Sequence, residues 1–161
     1  MKQFLLLLLT ITVLACSGGG DPAPTPTPTP PTPTVSVATL VKKVWTVSSA
    51  QWDGVTKYDK AGTANVVQGY SQYKLDLSTA GSVTLTEFDG KIFTGTYTVA
   101  TDGLSLTLNG LTSAEGAPTG TGGTIAYTIL STPTTTGLSL QQTTAYVKAS
   151  SAIVKLALVN P

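Results

Sequence analysis

From Val35 onward, apolar residues recur at every second position of this chain, and this period limits the possible folds more than any other feature. Leu104, Leu106 and Leu108, for example, alternate with Ser105 and Thr107. Because successive side chains of a strand point to opposite faces, such alternation indicates strands with one buried face. Only residues 37–43 show any helical stripe, and that stretch is short. The pattern predicts about eight strands, near residues 41–49, 68–77, 82–88, 91–100, 103–109, 123–131, 137–147 and 152–159.

Turn signals separate these predicted strands. Asp89-Gly90 and Asp102-Gly103 lie between adjacent runs, where a type I′ turn needs positive φ at both central residues. Asp53-Gly54 and Asn109-Gly110 are further turn signals. Strands joined by short turns pair antiparallel with their neighbours. We therefore predict an all-β antiparallel meander, either a barrel or a curled sheet, with a β-sandwich as the alternative.

The composition supports a single β domain, which we place at residues 35–161. Hydrophobic residues make up 41% of the chain and charged residues 11%, and β-branched threonine, which favours strands, fills many of the polar positions. The formal net charge is +1 and no arginine is present. A basic surface of the kind that binds nucleic acid is therefore excluded.

The first residues have the features of an export signal. Lys2 is followed by an apolar run over residues 4–15, which is too short to span a bilayer and fits the core of a signal peptide. The run ends in Val13-Leu14-Ala15-Cys16, which resembles the lipobox of bacterial lipoproteins. This resemblance implies that residues 1–15 are a signal peptide, cleaved between Ala15 and Cys16. It also implies that lipid is attached to Cys16, the single cysteine of the chain.

Residues 16–34 are predicted to be a linker. A glycine-rich start is followed by alternating proline and threonine, and such proline-rich tracts extend by about 3.1 Å per residue. The start Cys16-Ser-Gly-Gly-Gly-Asp21 resembles lipoproteins of the Bacteroidota. We therefore expect a lipid anchor in the outer membrane, with the domain on the periplasmic face or on the cell surface.

The order of motifs within the domain resembles the lipocalin-like domains carried by Bacteroidota lipoproteins. The residues that carry the resemblance are Trp45, Gly95-Thr96-Tyr97, Leu106-Thr107-Leu108, Tyr127-Thr128-Ile129 and Leu138-Ser139-Leu140. The resemblance implies a lipocalin-like barrel that binds a small apolar molecule or serves as an accessory protein of the envelope. Trp45 is expected to be a core residue.

Aromatic side chains are the candidate ligand contacts. In lipocalin-like barrels the segment between the first two strands forms a lid, so the resemblance implies ligand contacts for Trp52 and Tyr58 within residues 49–67. The alternative for Trp52 is a ring folded back onto the core. Tyr73, Tyr97 and Tyr127 face inward by their phase in the strands, as core residues or as the lining of a pocket. Exposed aromatic rings also suit stacking on sugars, which gives a surface glycan-binding or adhesion module as a second hypothesis.

Little in the sequence favours catalysis. The chain has no histidine, and Cys16 is assigned to the lipid. Glu87 and Asp89 lie together at a strand end, but we expect them to be solvated carboxylates of turns and edges. We therefore predict a protein that is not an enzyme, with no metal and no cofactor, and expect a monomer. A structural envelope lipoprotein without a ligand is the third hypothesis.

Overall fold

A computed structural model of the protein describes residues 35–161. The predicted signal peptide, the cleavage site at Ala15 and Cys16, and the linker up to residue 34 lie outside the described residues. Within the described range, no helix has the length and apolar character needed to cross a membrane.

Nine strands and three short helices make up residues 35–161. The helices are α1 (Val37–Leu40) and two 3-10 helices, η1 (Gln68–Gln72) and η2 (Val147–Ala149). The strands are β1 (Val44–Trp52), β2 (Val55–Asp59), β3 (Lys74–Asp76), β4 (Ser82–Thr86), β5 (Ile92–Val99), β6 (Ser105–Thr112), β7 (Ile125–Ile129), β8 (Gly137–Gln142) and β9 (Val154–Val159).

Eight of these strands form a closed up-and-down barrel. Every pairing is antiparallel between neighbours in the order β1-β3-β4-β5-β6-β7-β8-β9, and β9 returns to pair with β1 from Thr46↔Val159 to Trp52↔Val154. Strand β2 lies beside the barrel and pairs with β1 alone. The predicted antiparallel meander is confirmed, and its closure decides for the barrel against the curled sheet and the β-sandwich. Closure also removes the unpaired edges that an open sheet would expose.

The core fills the barrel interior with the inward-facing half of each alternating run. Leu106 and Leu108 are fully buried, as their phase predicts. Trp45 is 0% exposed and donates from Nε1 to the carbonyl of Val41 at 2.8 Å. The predicted core role of Trp45 is confirmed, and its hydrogen bond ties β1 to the end of α1.

The two ends of the barrel differ. We call one end the mouth; it carries the turn 87–91, the loop 113–124 and the segment 143–153. These three connections lie at the same end because β4, β6 and β8 run in the same direction, and each connection follows the last residue of one of them. Helix α1 lies at the opposite end, before β1 begins.

The turn predicted at Asp53-Gly54 is confirmed, whereas the two predicted type I′ turns are wrong. Asp53 and Gly54 have φ of 47° and 81° and join β1 to β2. In Asp89-Gly90 and Asp102-Gly103, only the glycines have positive φ, at 83° and 73°. The aspartates instead accept hydrogen bonds at Oδ1 from the backbone N–H two residues on, as turn aspartates commonly do.

The turn predicted at Asn109-Gly110 is wrong, because these residues form a bulge inside β6. Thr94 pairs with Thr112 and Thr96 pairs with Asn109, so β6 holds one residue more than β5 over this stretch. Gly110 has φ of 60°, a conformation that costs glycine little. Positive φ therefore kinks this strand without ending it.

The segment between the first two predicted strands is also more regular than expected. Half of the predicted loop 49–67 is the β1–β2 hairpin. The predicted strand 68–77 consists mainly of η1, and only Lys74–Asp76 forms a strand. The reason lies in Tyr70 and Tyr73, which are both buried at the spacing of three that repeats one face of a 3-10 helix.

Candidate ligand site at the barrel mouth

A buried carboxylate lies at the centre of the mouth. Glu87, directly after β4, is 2% exposed and accepts hydrogen bonds from the hydroxyl of Tyr146 and from the ammonium group of Lys148. Lys148 Nζ also lies 2.8 Å from Asp89 Oδ2. We call these four residues the latch. The expectation that Glu87 is a solvated carboxylate is wrong, because the segment 143–153 covers it.

Local backbone geometry positions both halves of the latch. Glu87 N donates to the carbonyl of Lys91 at 2.8 Å and closes the β4–β5 turn. Tyr146 N donates to the carbonyl of Ala152 at 2.9 Å and closes the loop that contains η2. Ser150 and Ser151 in this loop have φ of 56° and 59°, a strained conformation for residues other than glycine. The segment 143–153 therefore holds its latch residues in place under backbone strain.

The pKa values of Lys148, Asp89 and Tyr146 are all shifted by their surroundings in the latch. Burial acts to lower the pKa of Lys148, but its hydrogen bonds to Asp89 and Glu87 outweigh burial and raise that pKa. Burial acts to raise the pKa of Asp89, yet hydrogen bonds from Lys148 and Lys91 leave it lowered. Burial and the neighbouring Glu87 raise the pKa of Tyr146 far above its usual value. These three groups are therefore not poised to exchange protons near pH 7, as an acid–base catalyst would be.

A small cavity lies beneath the latch. Its volume is about 10 Å³, enough for about one water molecule. Tyr70, Tyr73 and Tyr127 line it together with apolar side chains and Gln142. The hydroxyl oxygens of Tyr73 and Tyr127 are 3.4 Å apart. The interior under the mouth is thus aromatic, and two of its tyrosine hydroxyls lie close to each other.

Further aromatic rings plug the mouth beside the latch. Trp52 donates from Nε1 to the hydroxyl of Tyr70 at 2.9 Å, and the rings of Tyr70 and Phe88 are 4.9 Å apart. The plug requires a glycine in η1, because a Cβ on Gly69 would lie 1.8 Å from the carbonyl oxygen of Phe88. The backbone of η1 therefore rests directly on the 87–91 turn.

The structure brings four of the five predicted ligand contacts to the mouth. Trp52 is half-buried against the core, and Tyr58 is buried against Tyr70 at a ring distance of 6.1 Å. Tyr73 and Tyr127 line the cavity. Tyr97 does not join them: it is buried elsewhere in the core and donates from its hydroxyl to the carbonyl of Leu77 at 3.1 Å. A role of the four residues at the mouth in ligand binding stays a prediction, whereas the position of Tyr97 gives it no contact with the cavity.

Sequence reasoning missed several residues of the site. Gln142 continues the inward phase of Leu138 and Leu140, and a polar residue at an inward position is a signal that was available. Tyr146 and Lys148 carried no such signal, because the predicted strand 137–147 ends at Gln142 and both residues lie in the loop beyond it. Within residues 35–161, no group of three or more acidic, histidine or cysteine side chains is arranged to hold a metal ion.

A closed up-and-down barrel of eight strands is the architecture of lipocalins. The structure is similar to that of a lipocalin-like protein from Bacteroides uniformis ATCC 8492, with a TM-score of 0.47, 13% identity, and coverage of 76% of this chain and 99% of that chain. It is also similar to an uncharacterized protein from Bacteroides eggerthii DSM 20697, with a TM-score of 0.44, 13% identity, and coverage of 74% and 98%. No protein-family model and no curated protein matches the chain.

Proposed function

We propose that this chain is an exported lipoprotein whose barrel binds a small apolar molecule beneath the latch. One observation carries the binding role: the cavity under the mouth is lined by tyrosines and apolar side chains, with a few polar groups among them. Ligand sites in proteins commonly have this composition. In the latched state the cavity has room for little more than water, so binding requires the segment 143–153 to move.

The construction of the segment 143–153 supports such movement. Its side-chain ties to the 87–91 turn are those of Tyr146 and Lys148, and both converge on Glu87. Opening would break this cluster and expose the buried side chains of Tyr146 and Ala149, and it would let the strained backbone at Ser150 and Ser151 relax. Segments that hold few such contacts open at lower free energy than the strands of a core.

The proposed role is binding without catalysis. The chain has no histidine, and the shifted pKa values of the latch tyrosine, lysine and aspartate all lie away from neutrality. The ion pairs and hydrogen bonds of the latch, which hold the segment 143–153 in place, account for these pKa shifts, so no catalytic role is needed to explain them.

The anchor is proposed from the sequence of residues 1–34. Cys16 follows a short apolar run and precedes a proline–threonine tract, so lipid on Cys16 would hold the barrel at a distance from the outer membrane. The test is fractionation of cells that express Cys16→Ala. The variant should leave the membrane fraction, whereas an unchanged distribution would overturn the anchor. Protease treatment of intact cells would then separate a cell-surface from a periplasmic location.

Binding is tested with the mature chain from residue 16 carrying Cys16→Ser, titrated with the apolar fluorescent probe N-phenylnaphthylamine. We expect saturable fluorescence, together with a retained ligand in native mass spectra. Tyr73→Phe, at the cavity, should change the dissociation constant by about threefold or more, whereas Tyr97→Phe should leave it unchanged. The two residues are matched, since each is a buried tyrosine with one hydroxyl hydrogen bond. Absence of saturable binding would overturn the proposal.

A further inference from the structure

An open groove lies beside the latch, between the loop 113–124 and the segment 143–153. Its volume is about 250 Å³, just below the range of pockets for drug-sized ligands. Thr121 and Thr124 line one wall, residues 143–146 line the other, and Gln142 lies between them. The groove is open while the latch is closed, so it differs from the cavity under the mouth.

Gln142 borders this groove and carries a buried hydrogen-bond acceptor without a partner in residues 35–161. Its side chain is 6% exposed, and within residues 35–161 its Oε1 has no hydrogen-bond partner. The side chain borders both the groove and the tyrosine-lined cavity. Buried acceptors are nearly always paired, because an unpaired one has lost its water without compensation. A turn of this side chain toward the groove would let a donor from a molecule there supply the missing partner.

The four threonines of the groove differ in their hydrogen bonds. Two are bonded within the chain: Thr121 Oγ1 donates to the carbonyl of Pro118 at 2.8 Å, and Thr143 Oγ1 donates to that of Ala126 at 3.3 Å. Thr124 and Thr144, by contrast, make no side-chain hydrogen bond within residues 35–161, and both are exposed. Their hydroxyls can donate to a ligand and accept from it.

The charge of the groove selects among ligands. The side chains that line it are all uncharged, and the nearby charges of Lys148, Glu87 and Asp89 are paired with one another. An ionised ligand would lose water without gaining a partner, and a wholly apolar ligand would leave the threonine hydroxyls unpaired. Ile125 and Ala145 add apolar surface between the hydroxyls. A molecule that alternates hydroxyl groups with C–H surface satisfies both requirements.

We infer that this groove binds an uncharged, hydroxyl-rich molecule the size of a mono- or disaccharide, one hydroxyl of which donates to Gln142 Oε1 when that side chain turns toward the groove. This site goes beyond the proposed function, because it requires neither an apolar ligand nor an open latch. Its contacts are hydrogen bonds from a shallow groove, so millimolar binding is expected.

The test is NMR titration of the isotope-labelled mature chain carrying Cys16→Ser. The probes are glucose, galactose and N-acetylglucosamine, each compared with the cationic glucosamine and the anionic glucuronate. At least one neutral sugar should cause saturable shifts confined to the amides of residues 120–126 and 142–146. The charged sugars should bind about tenfold or more weakly. No saturable shift with any neutral sugar, or a preference for a charged one, would overturn the inference.

Gln142→Met and Gln141→Met form a matched pair for this test. They are neighbours on β8, but Gln141 faces outward and does not line the groove. Gln142→Met should weaken binding of the neutral sugar about tenfold or more, whereas Gln141→Met should leave it unchanged. Equal binding by both would overturn the role of Gln142.

Thr124→Val and Thr144→Val provide a second test on exposed positions, in case Gln142→Met fails to fold, and each should also weaken binding. The sugar and apolar-probe titrations separate the two proposals. Probe binding without sugar binding overturns the groove alone. Sugar binding without probe binding overturns the proposed function alone.

Discussion

Tyr146 and Glu87 are 59 residues apart in the sequence, yet the hydroxyl of Tyr146 donates directly to the carboxylate of Glu87 inside the barrel mouth. This contact joins the segment between β8 and β9 to the turn between β4 and β5. Lys148 approaches the same carboxylate from the same segment. The mouth is therefore closed by a cluster in which one buried acceptor serves two donors.

The Tyr146 hydroxyl should stabilise the closed mouth. Tyr146→Phe keeps the ring but removes a hydrogen bond to a buried charged group, a loss of about 1–3 kcal/mol in the free energy of unfolding. Tyr58→Phe is the control, because Tyr58 is also buried but its hydroxyl makes no hydrogen bond within the described residues. Urea unfolding of both variants checks this expectation, and equal losses would contradict it.

Lys148 should matter mainly because Glu87 is buried. Lys148→Met leaves the carboxylate without its cation, and such a loss typically costs about 3–5 kcal/mol. Adding Glu87→Gln removes the stranded charge, so the double variant should be more stable than Lys148→Met alone. The reference pair is Lys91 and Glu115, whose side chains are 48% and 70% exposed. Removing either of these two side chains should not measurably change the free energy of unfolding. Equal losses of stability for the two pairs would contradict the role of burial in the latch.

Gly69 should not tolerate a side chain. An added Cβ would lie 1.8 Å from the carbonyl oxygen of Phe88, so Gly69→Ala must push η1 away from the turn. We expect a loss of about 1–3 kcal/mol, as in overpacked cores, and a changed fluorescence of Trp52, which packs at 6.1 Å from Phe88. Ser71→Ala, at an exposed position of the same helix, should change neither property. Wild-type stability in Gly69→Ala would show that η1 does not rest on the turn.

The tyrosines predict an alkaline limit to stability. Burial is the largest cause of a raised pKa for Tyr70, Tyr73, Tyr97 and Tyr146, and it raises the pKa of Tyr127 to about 12. An unfolded tyrosine has a pKa of about 10. A raised pKa in the folded state gives stability that is fully present below pH ~10 and is lost as the pH rises through the folded values. Tyrosinate absorbance should therefore rise together with loss of the circular dichroism signal. Ionisation of most tyrosines near pH 10 in an intact barrel would contradict this prediction.

The barrel strands were the most predictable part of the molecule, because alternation in a half-buried strand is written directly in the sequence. The Leu104–Leu108 run shows how far this goes: Leu106 and Leu108 are buried as predicted, but Leu104, in the same phase, lies before β6 and is exposed. Alternation gives the face of each side chain and does not give the ends of the strand. Alternation also did not predict whether the sheet closes, because closure depends on pairing between β1 and β9, which lie at opposite ends of the domain sequence.

The mouth was less predictable, because it is assembled from residues that follow no period. Glu87 has the sequence context of a turn carboxylate, and its burial depends on a segment about 60 residues later. Asn109-Gly110 shows the same limit in a strand, since positive φ suits a bulge as well as a turn. Local chemistry fixes the conformation of such residues, whereas tertiary packing decides what they do.

A reversible lock can test whether ligands enter the barrel when the segment 143–153 opens. A Cβ at Gly120 would lie 3.1 Å from the Cβ of Val147, a few tenths of an ångström nearer than the separation of about 3.5–4.5 Å found in disulfides. Because Gly120 has φ of 78°, a cysteine there is also strained, and the backbone must shift slightly to form the bond. The mature chain carrying Cys16→Ser, Gly120→Cys and Val147→Cys would therefore tie the loop 113–124 to η2. The single-cysteine variants are the controls for the substitutions themselves.

The decisive measurement is N-phenylnaphthylamine binding by this double-cysteine variant before and after reduction. The oxidised protein should not bind the probe, and reduction should restore binding to the level of the single-cysteine controls. Equal binding by the oxidised and reduced forms would contradict entry through the mouth.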